Sequence, residues 1–405
     1  MAPSFLLAFV LLTANILPSH AIYNVARDYS GDQFFSLFDY YGNIDNASIS
    51  AGSTTGGDVN FLDQADATSQ QLAYVSPTGT AIVKVDNSSI VPLGGKRNSM
   101  RLTSTDAYPV GSLFIIDASH LPFGCSVWPA VWTTGEPWPT YGEIDIIEGV
   151  NEFTANEMVI HSQPGCTKTT PSIQTSKSIE STDCSTASGC VVQESAANSY
   201  GAAFAQAGGG VYAMQYDVSG IFIWFWSRPN VPASITTSSA SSPIDISTWG
   251  HPSAAFPSSS CNMGQYFGAQ KLVIDITLCG DWAGVDATYR ATCPSAGATG
   301  VCNINNVVGS GEQYSDAYFE FNYIRTYTMD GVNMFSTESQ NYSSPTAATT
   351  VESVSYQTAI SSTQTSPSAT TTKKKSAGMP GPRSSVSGLG LVAGLVIMSL
   401  AASSL

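Results

Sequence analysis

The chain has 405 residues, and its 30 acidic against 15 basic side chains leave a formal net charge of −15. That balance argues against a basic nucleic-acid-binding surface. Charged residues amount to only 11% while aromatics reach 10%, a surface better suited to a neutral polymer held by hydroxyl hydrogen bonds and ring faces than to a charged ligand.

The N-terminus carries an apolar run, Phe5-Leu-Leu-Ala-Phe-Val-Leu-Leu12, followed by Ser19-His20-Ala21. The run is too short and interrupted to span a bilayer well, and the small-x-small end predicts a signal peptide cut after Ala21. From there to about residue 335 no linker or internal repeat interrupts the chain, so 22–335 is expected to be one folded unit. Within it, strand-like runs at 111–117, 211–216, 221–226, 272–278 and 318–327 are β-branched and aromatic, bounded by Gly, Pro, Asn and Ser. Helical periodicity is sparse, best at 196–207. The expected fold class is all-β: a sandwich of antiparallel sheets.

The sharpest local feature is Gly142-Glu-Ile-Asp-Ile-Ile-Glu-Gly149. In a strand, Glu143 and Asp145 share one face while Ile144 and Ile146 point the other way. A regular strand would then turn Glu148 into the core, where an unpaired carboxylate is costly. A β-bulge at Ile146-Ile147 restores the register and gathers all three acids on one side. Two leaning glutamates would then approach to roughly 5–6 Å, the spacing of a retaining glycosidase pair. Mutual repulsion would keep one of the acids protonated for a leaving oxygen. The same residues also fit a solvent-facing acidic strand or a calcium site. Zinc is disfavoured, with four histidines in the whole chain and no Cys-x-x-C. No Gly-x-Ser-x-Gly elbow is present.

Eight cysteines, all between Cys125 and Cys302, predict disulfides in an exported chain. Cys166, Cys184 and Cys190 are expected to staple the polar segment between His161 and Tyr200. Sequons at Asn46, Asn87 and Asn341 fit the same compartment. From residue 336 to 375 a Ser/Thr-rich stretch, ending in Lys373-Lys374-Lys375, reads as an extended, O-glycosylated stalk. Then come Ser376-Ala377-Gly378, a polar spacer and an apolar tail from Leu389. This is the pattern of a glycolipid-anchor signal, with the tail (376–405) removed. A single-span tail anchor is the alternative.

Several blocks together resemble glycoside hydrolase family 16, in particular fungal endo-1,3(4)-β-glucanases. They are Lys96-Arg-Asn-Ser-Met-Arg-Leu102, Pro122-Phe-Gly-Cys-Ser-Val-Trp-Pro-Ala-Val-Trp132, the acid strand, Met158-Val-Ile-His161, Leu278-Cys-Gly-Asp-Trp-Ala-Gly284 and Phe321-Asn-Tyr-Ile-Arg-Thr-Tyr327. The resemblance implies a curved jelly roll whose concave face is a glucan cleft. It implies Glu143 as nucleophile, Glu148 as general acid/base and Asp145 tuning both. The six-residue acid motif is similar to the laminarinase-like branch, which favours β-1,3 or mixed β-1,3/1,4 glucan. The resemblance further places Trp132, Trp138, Trp282, His161 and Trp128 near substrate, whereas Trp224 and Trp226 are read as core. No cofactor is implied, with structural calcium left open. The expected protein is a monomer, outside the cell, anchored in the outer membrane leaflet or moved to the wall. Its alternatives are a cell-wall transglycosylase and a non-catalytic glucan-binding protein.

Overall fold

The computed structural model describes residues 22–42, 55–294 and 299–336. The signal peptide, the stalk beyond Ser336, the three lysines, the anchor signal and the sequons at Asn46 and Asn341 lie outside the described residues. Every strand-like run of the sequence is a strand: Ser112–His120, Gly210–Asp217, Gly220–Ser227, Gln270–Leu278 and Tyr318–Met329. The helical segment shortens to Gly201–Gln206, because residues 196–200 form turns ahead of it.

Two large antiparallel sheets form a jelly-roll sandwich. The back sheet runs in the order Ile244–Asp245, Ile22–Tyr29, Tyr318–Met329, Ser112–His120, Gly210–Asp217, Gly220–Ser227, Ala254–Pro257. The strand Ala81–Lys84 joins Tyr318–Met329 and carries Ala73–Val75. The front sheet runs Lys177–Ile179, Cys190–Gln193, Glu157–His161, Glu143–Glu148, Val127–Thr134, Gln270–Leu278, Arg101–Tyr108, Phe38–Tyr40. Phe335–Ser336 pairs with Ala107 and Asp106.

Alternation puts the apolar side chains between the sheets. Leu102, Val131, Ile144, Ile160, Leu272, Ile274 and Ile276 of the front sheet meet Phe114, Ile116, Met214, Ile221, Ile223 and Phe321 of the back sheet in one core. A second cluster covers the outer face of the back sheet. There Leu113, Ile115, Val211, Phe222 and Trp224 pack beneath Ile235, Ile244, Ile246 and Trp249. Trp224 is therefore buried as expected, but outside the sandwich core, and Trp226 is only half-buried at the edge of the same cluster.

All eight cysteines are paired: Cys125–Cys293, Cys166–Cys261, Cys184–Cys190 and Cys279–Cys302. Cys184–Cys190 closes a loop within the 161–200 segment, as expected of a staple. Cys166 instead ties that segment to Cys261, just past the back-sheet strand Ala254–Pro257.

Candidate active site

The acid strand Glu143–Glu148 lies between Val127–Thr134 and Glu157–His161. Against Val127–Thr134, Asp145 faces Trp132 while Ile147 faces Val131, so Ile146 is the additional residue of a bulge. The other neighbour shows the same offset, with Asp145 opposite Val159 and Glu148 opposite Glu157. Ile144, Ile146 and Ile147 are all fully buried in the core. The acids take the opposite, outward face.

Asn156 holds this irregular backbone. Its fully buried side chain donates from Nδ2 to the Ile146 carbonyl at 2.9 Å and accepts from the Glu148 N–H at 2.9 Å. It supplies partners for the polar groups that the bulge leaves out of register. Glycines bound the strand for separate reasons. Gly142 has a φ of +75°, and a Cβ there would stand 2.2 Å from the Phe267 ring. A Cβ on Gly149 would meet the Tyr200 ring at 2.8 Å.

Each acid has its own surroundings. Glu148, half-buried, accepts a hydrogen bond from Trp128 Nε1 at 2.8 Å. Glu143 and Asp145 are buried, and their Oε2 and Oδ2 atoms have no hydrogen-bond partner in the protein. His161 stands opposite Glu143 in the ladder, its Nε2 3.9 Å from Glu143 Oε1 and 3.7 Å from Asp145 Oδ2. Burial holds that imidazole at about 4, hence neutral near pH 7. Ligating atoms of Glu143, Asp145 and His161 lie within 4.8 Å of one another, so the set able to grip a cation coincides with the acid cluster.

Burial pushes all three acids up. Glu143 rises to about 7, opposed by the Trp138 side chain and the Arg101 charge. Glu148 rises to about 8, opposed by the Trp128 N–H and reinforced by the charges of Glu143 and Glu157. Asp145, between the two glutamates, is held well above the usual carboxylate range, first by burial and then by their charges.

The predicted aromatics divide. Trp132 lies on the outward face beside Asp145, donating to Asp275 Oδ1 at 3.2 Å. Trp138 is 41% exposed in the loop that leads into the acid strand. Trp282, on the short helix Gly280–Ala283, meets Trp128 edge-on at 5.6 Å and Phe153 edge-on at 5.8 Å.

Sequence reasoning assigned no role to Arg101, Asp275, Asn156 or Glu157. The Arg101 guanidinium lies over both Tyr41 and Trp132 at 5.2 Å, 3.9 Å from Asp275 Oδ2. Asp275 was visible as an acid inside an apolar strand, the same signal that marked Asp145. Glu157 sits across from Glu148 and accepts from Gln193 Nε2 at 3.3 Å.

Residues 38–327 match the XgeA-like, catalytic GH16 domain. This chain belongs to family GH16. It is 35% identical to a probable glycosidase of Schizosaccharomyces pombe over 75% of this chain and 69% of that protein. With the endo-1,3(4)-β-glucanase of Emericella nidulans it shares 34% identity over 80% of this chain, but it spans only half of that relative's length. GH16 Laminarinase 16A from Phanerochaete chrysosporium, solved with 6-O-glucosyl-laminaritriose in donor and acceptor sites, superposes with a TM-score of 0.68. It is 35% identical, over 76% of this chain and all of that one. An elongating GH16 β-1,3-glucosyltransferase reaches a TM-score of 0.67 at 36% identity, with the same coverage of both chains.

Proposed function

We propose that this GH16 chain is a retaining endo-β-glucanase acting on β-1,3 or mixed β-1,3/1,4 glucan. The observation that carries the reading is the bulged strand, which sets Glu143, Asp145 and Glu148 on one face and leaves Glu143 Oε2 and Asp145 Oδ2 without a hydrogen-bond partner. Glu143 attacks the anomeric carbon as the C1–O bond breaks. Glu148 gives its proton to the departing oxygen and takes one back from water when the glycosyl ester is hydrolysed. Asp145, between the two glutamates, tunes both through its position and hydrogen bonding. Trp132, Trp138 and Trp282 supply ring faces for the sugars, Trp128 orients Glu148, and neutral His161 hydrogen-bonds near the reacting centre.

Transglycosylation is a second reading, favoured by the likeness to the β-1,3-glucosyltransferase. It uses the same ester, intercepted by a sugar hydroxyl instead of water. The proposal extends to a monomer outside the cell, with residues 22–335 as catalytic domain and 336–375 as stalk, tethered to the outer leaflet by a glycolipid added near Ser376. Four disulfides agree with an oxidising compartment. Release of the protein from cells by a phosphatidylinositol-specific phospholipase would support the tether, and retention after that treatment would remove it.

The deciding experiment incubates the secreted protein with defined β-1,3-gluco-oligosaccharides and mixed-linkage glucan. Shorter products that first form with the β-anomer support the hydrolase. Products longer than the starting oligosaccharide support transfer. Binding without product on either substrate would overturn both.

A further inference from the structure

The loop that follows the strand Ala81–Lys84 carries the two most exposed large apolar side chains among the described residues, Ile90 at 82% and Leu93 at 76%. Neither is left out by a slack backbone. Between them Val91 is buried, and it exchanges two backbone hydrogen bonds with Gly309, each at 2.9 Å. Past it the Gly95 N–H reaches the Pro92 carbonyl at 2.9 Å, which puts Leu93 and Gly94, with a φ of +78°, at the tip of a tight turn. A fixed chain therefore holds both side chains in water. Together they make a standing apolar ledge, the kind of surface on which copies of a protein associate.

The same loop opens with the sequon Asn87-Ser88-Ser89, and its geometry is set from beneath. Asp86 Oδ1 accepts from the Ser88 and Ser89 N–H groups at 2.9 and 3.1 Å and from Ser88 Oγ at 2.9 Å, an Asx turn with Asn87 at its crest. Fully buried Arg97 donates from Nη1 to the Asp86 and Ser89 carbonyls, both at 3.1 Å. Its Nη2 donates to the Val307 and Gly309 carbonyls at 2.8 and 2.9 Å. One guanidinium thus ties the sequon and the ledge to the same support. The Asn87 amide is oriented as well. Its Oδ1 accepts from Lys84 Nζ at 3.0 Å, while Nδ2, the atom to which a sugar attaches, has no partner among the described residues.

We propose that Asn87 carries an N-linked glycan, and that this glycan lies over Ile90 and Leu93, three and six residues further along. The inference rests on the export reading above, because the donor is a lipid-pyrophosphate-linked oligosaccharide met along that route. In the attachment Asn87 Nδ2 bonds to the anomeric carbon of the donor's first sugar. The C1–O bond to the pyrophosphate breaks and the pyrophosphate leaves with the electron pair, while one amide proton is lost to base. A glycan suits this ledge better than a protein partner does. It is tethered beside it by a covalent bond, and it is bulky and solubilising enough to bar a second macromolecule. Its C–H faces meet Ile90 and Leu93 and its hydroxyls meet water.

For the test the full chain is expressed in a eukaryotic secretory host and recovered from the medium or, where tethered, with a phosphatidylinositol-specific phospholipase. Treatment with peptide N-glycosidase in heavy-oxygen water converts a glycosylated asparagine to a labelled aspartate, and peptide mapping by mass spectrometry should find the label at Asn87. The variants Asn87→Gln and Ser89→Ala break the sequon at its two ends. Trimming the folded native protein with an endoglycosidase removes the cover without any substitution, so the test survives a variant that does not fold. Each is expected to lower by about tenfold the concentration at which half of the protein self-associates, read by sedimentation and light scattering. With Ile90→Ser and Leu93→Ser in place, neither loss of the sequon nor trimming should move that concentration. An unlabelled Asn87 in exported, disulfide-bonded protein overturns the modification. A labelled Asn87 whose removal leaves self-association unchanged overturns the cover. Retention in the cytosol with free cysteines overturns the export reading, and the modification with it.

Discussion

The two sheets both carry tryptophans on their outer faces, but the indole N–H groups find different partners. On the back sheet, Trp224 donates to the Gly250 carbonyl beneath a covering segment, in which Trp249 donates to Ser234 Oγ. On the front sheet, Trp128 donates to Glu148 and Trp132 to Asp275, on a face where carboxylates replace the apolar cover. The same residue type thus seals one face and equips the other. What separates them is the charge of the partner: an indole spent on a backbone carbonyl is packing, whereas one spent on a carboxylate holds a reactive group in place.

Five changes test that separation, taken from the largest expected effect. Glu143→Gln keeps the shape of the front face and removes the nucleophile. Turnover should fall by roughly 10³-fold or more with glucan binding retained, as read by initial rates and by affinity electrophoresis. Full activity in this variant would show that the wrong face had been chosen. Trp224→Ala, on the covered face, should lower unfolding free energy by about 3–5 kcal/mol while the folded fraction keeps the native kcat/KM. Denaturant melts paired with rate measurements check this.

Asn156→Ala strips the partners from the Ile146 carbonyl and the Glu148 N–H, so that Glu148 is no longer aimed. A loss of about 10²-fold in kcat is expected, larger than the accompanying drop in melting temperature would explain. The smallest effects are a pair of opposite sign. Trp128→Phe deletes a bond that favours ionised Glu148, so the alkaline limb of the kcat/KM profile should move to higher pH. Glu157→Gln deletes a charge that keeps Glu148 protonated, so the same limb should move to lower pH. Shifts in one direction for both variants would detach Glu148 from the general-acid role.

Much of this front face was legible in the sequence because its rules are local. An isolated glutamate facing the core is costly, and that alone required the bulge that the ladder shows at Ile146. Strand identities followed from β-branched and aromatic runs. Arg101 and Asp275 were not assigned roles because their partners come from distant parts of the chain, and Asn156 because its partners, the Ile146 carbonyl and the Glu148 N–H, are backbone groups that no side-chain pattern marks. Asp275 reaches Trp132 only through pairing of Gln270–Leu278 with Val127–Thr134. The bond from Trp128 to Glu148 was not foreseen, since a strand pattern gives the face of an indole but not the target of its N–H. The helix near 196–207 was overextended for a local reason. Gly201 has a φ of +64°, a left-handed conformation that an uninterrupted right-handed helix does not contain.

The bulge has one more consequence, which concerns how such a strand can change over generations. With Ile146 looped out, Glu143 and Glu148 behave as though four positions apart, although five separate them in the chain. Loss of one isoleucine codon would therefore leave both acids facing the same way on a straighter strand. Loss or gain of a codon on the unbulged stretch between Glu143 and Asp145 would invert one acid into the core. Insertions and deletions at this site are thus not equivalent: one spot in the hexapeptide absorbs a change of length, and its neighbours do not.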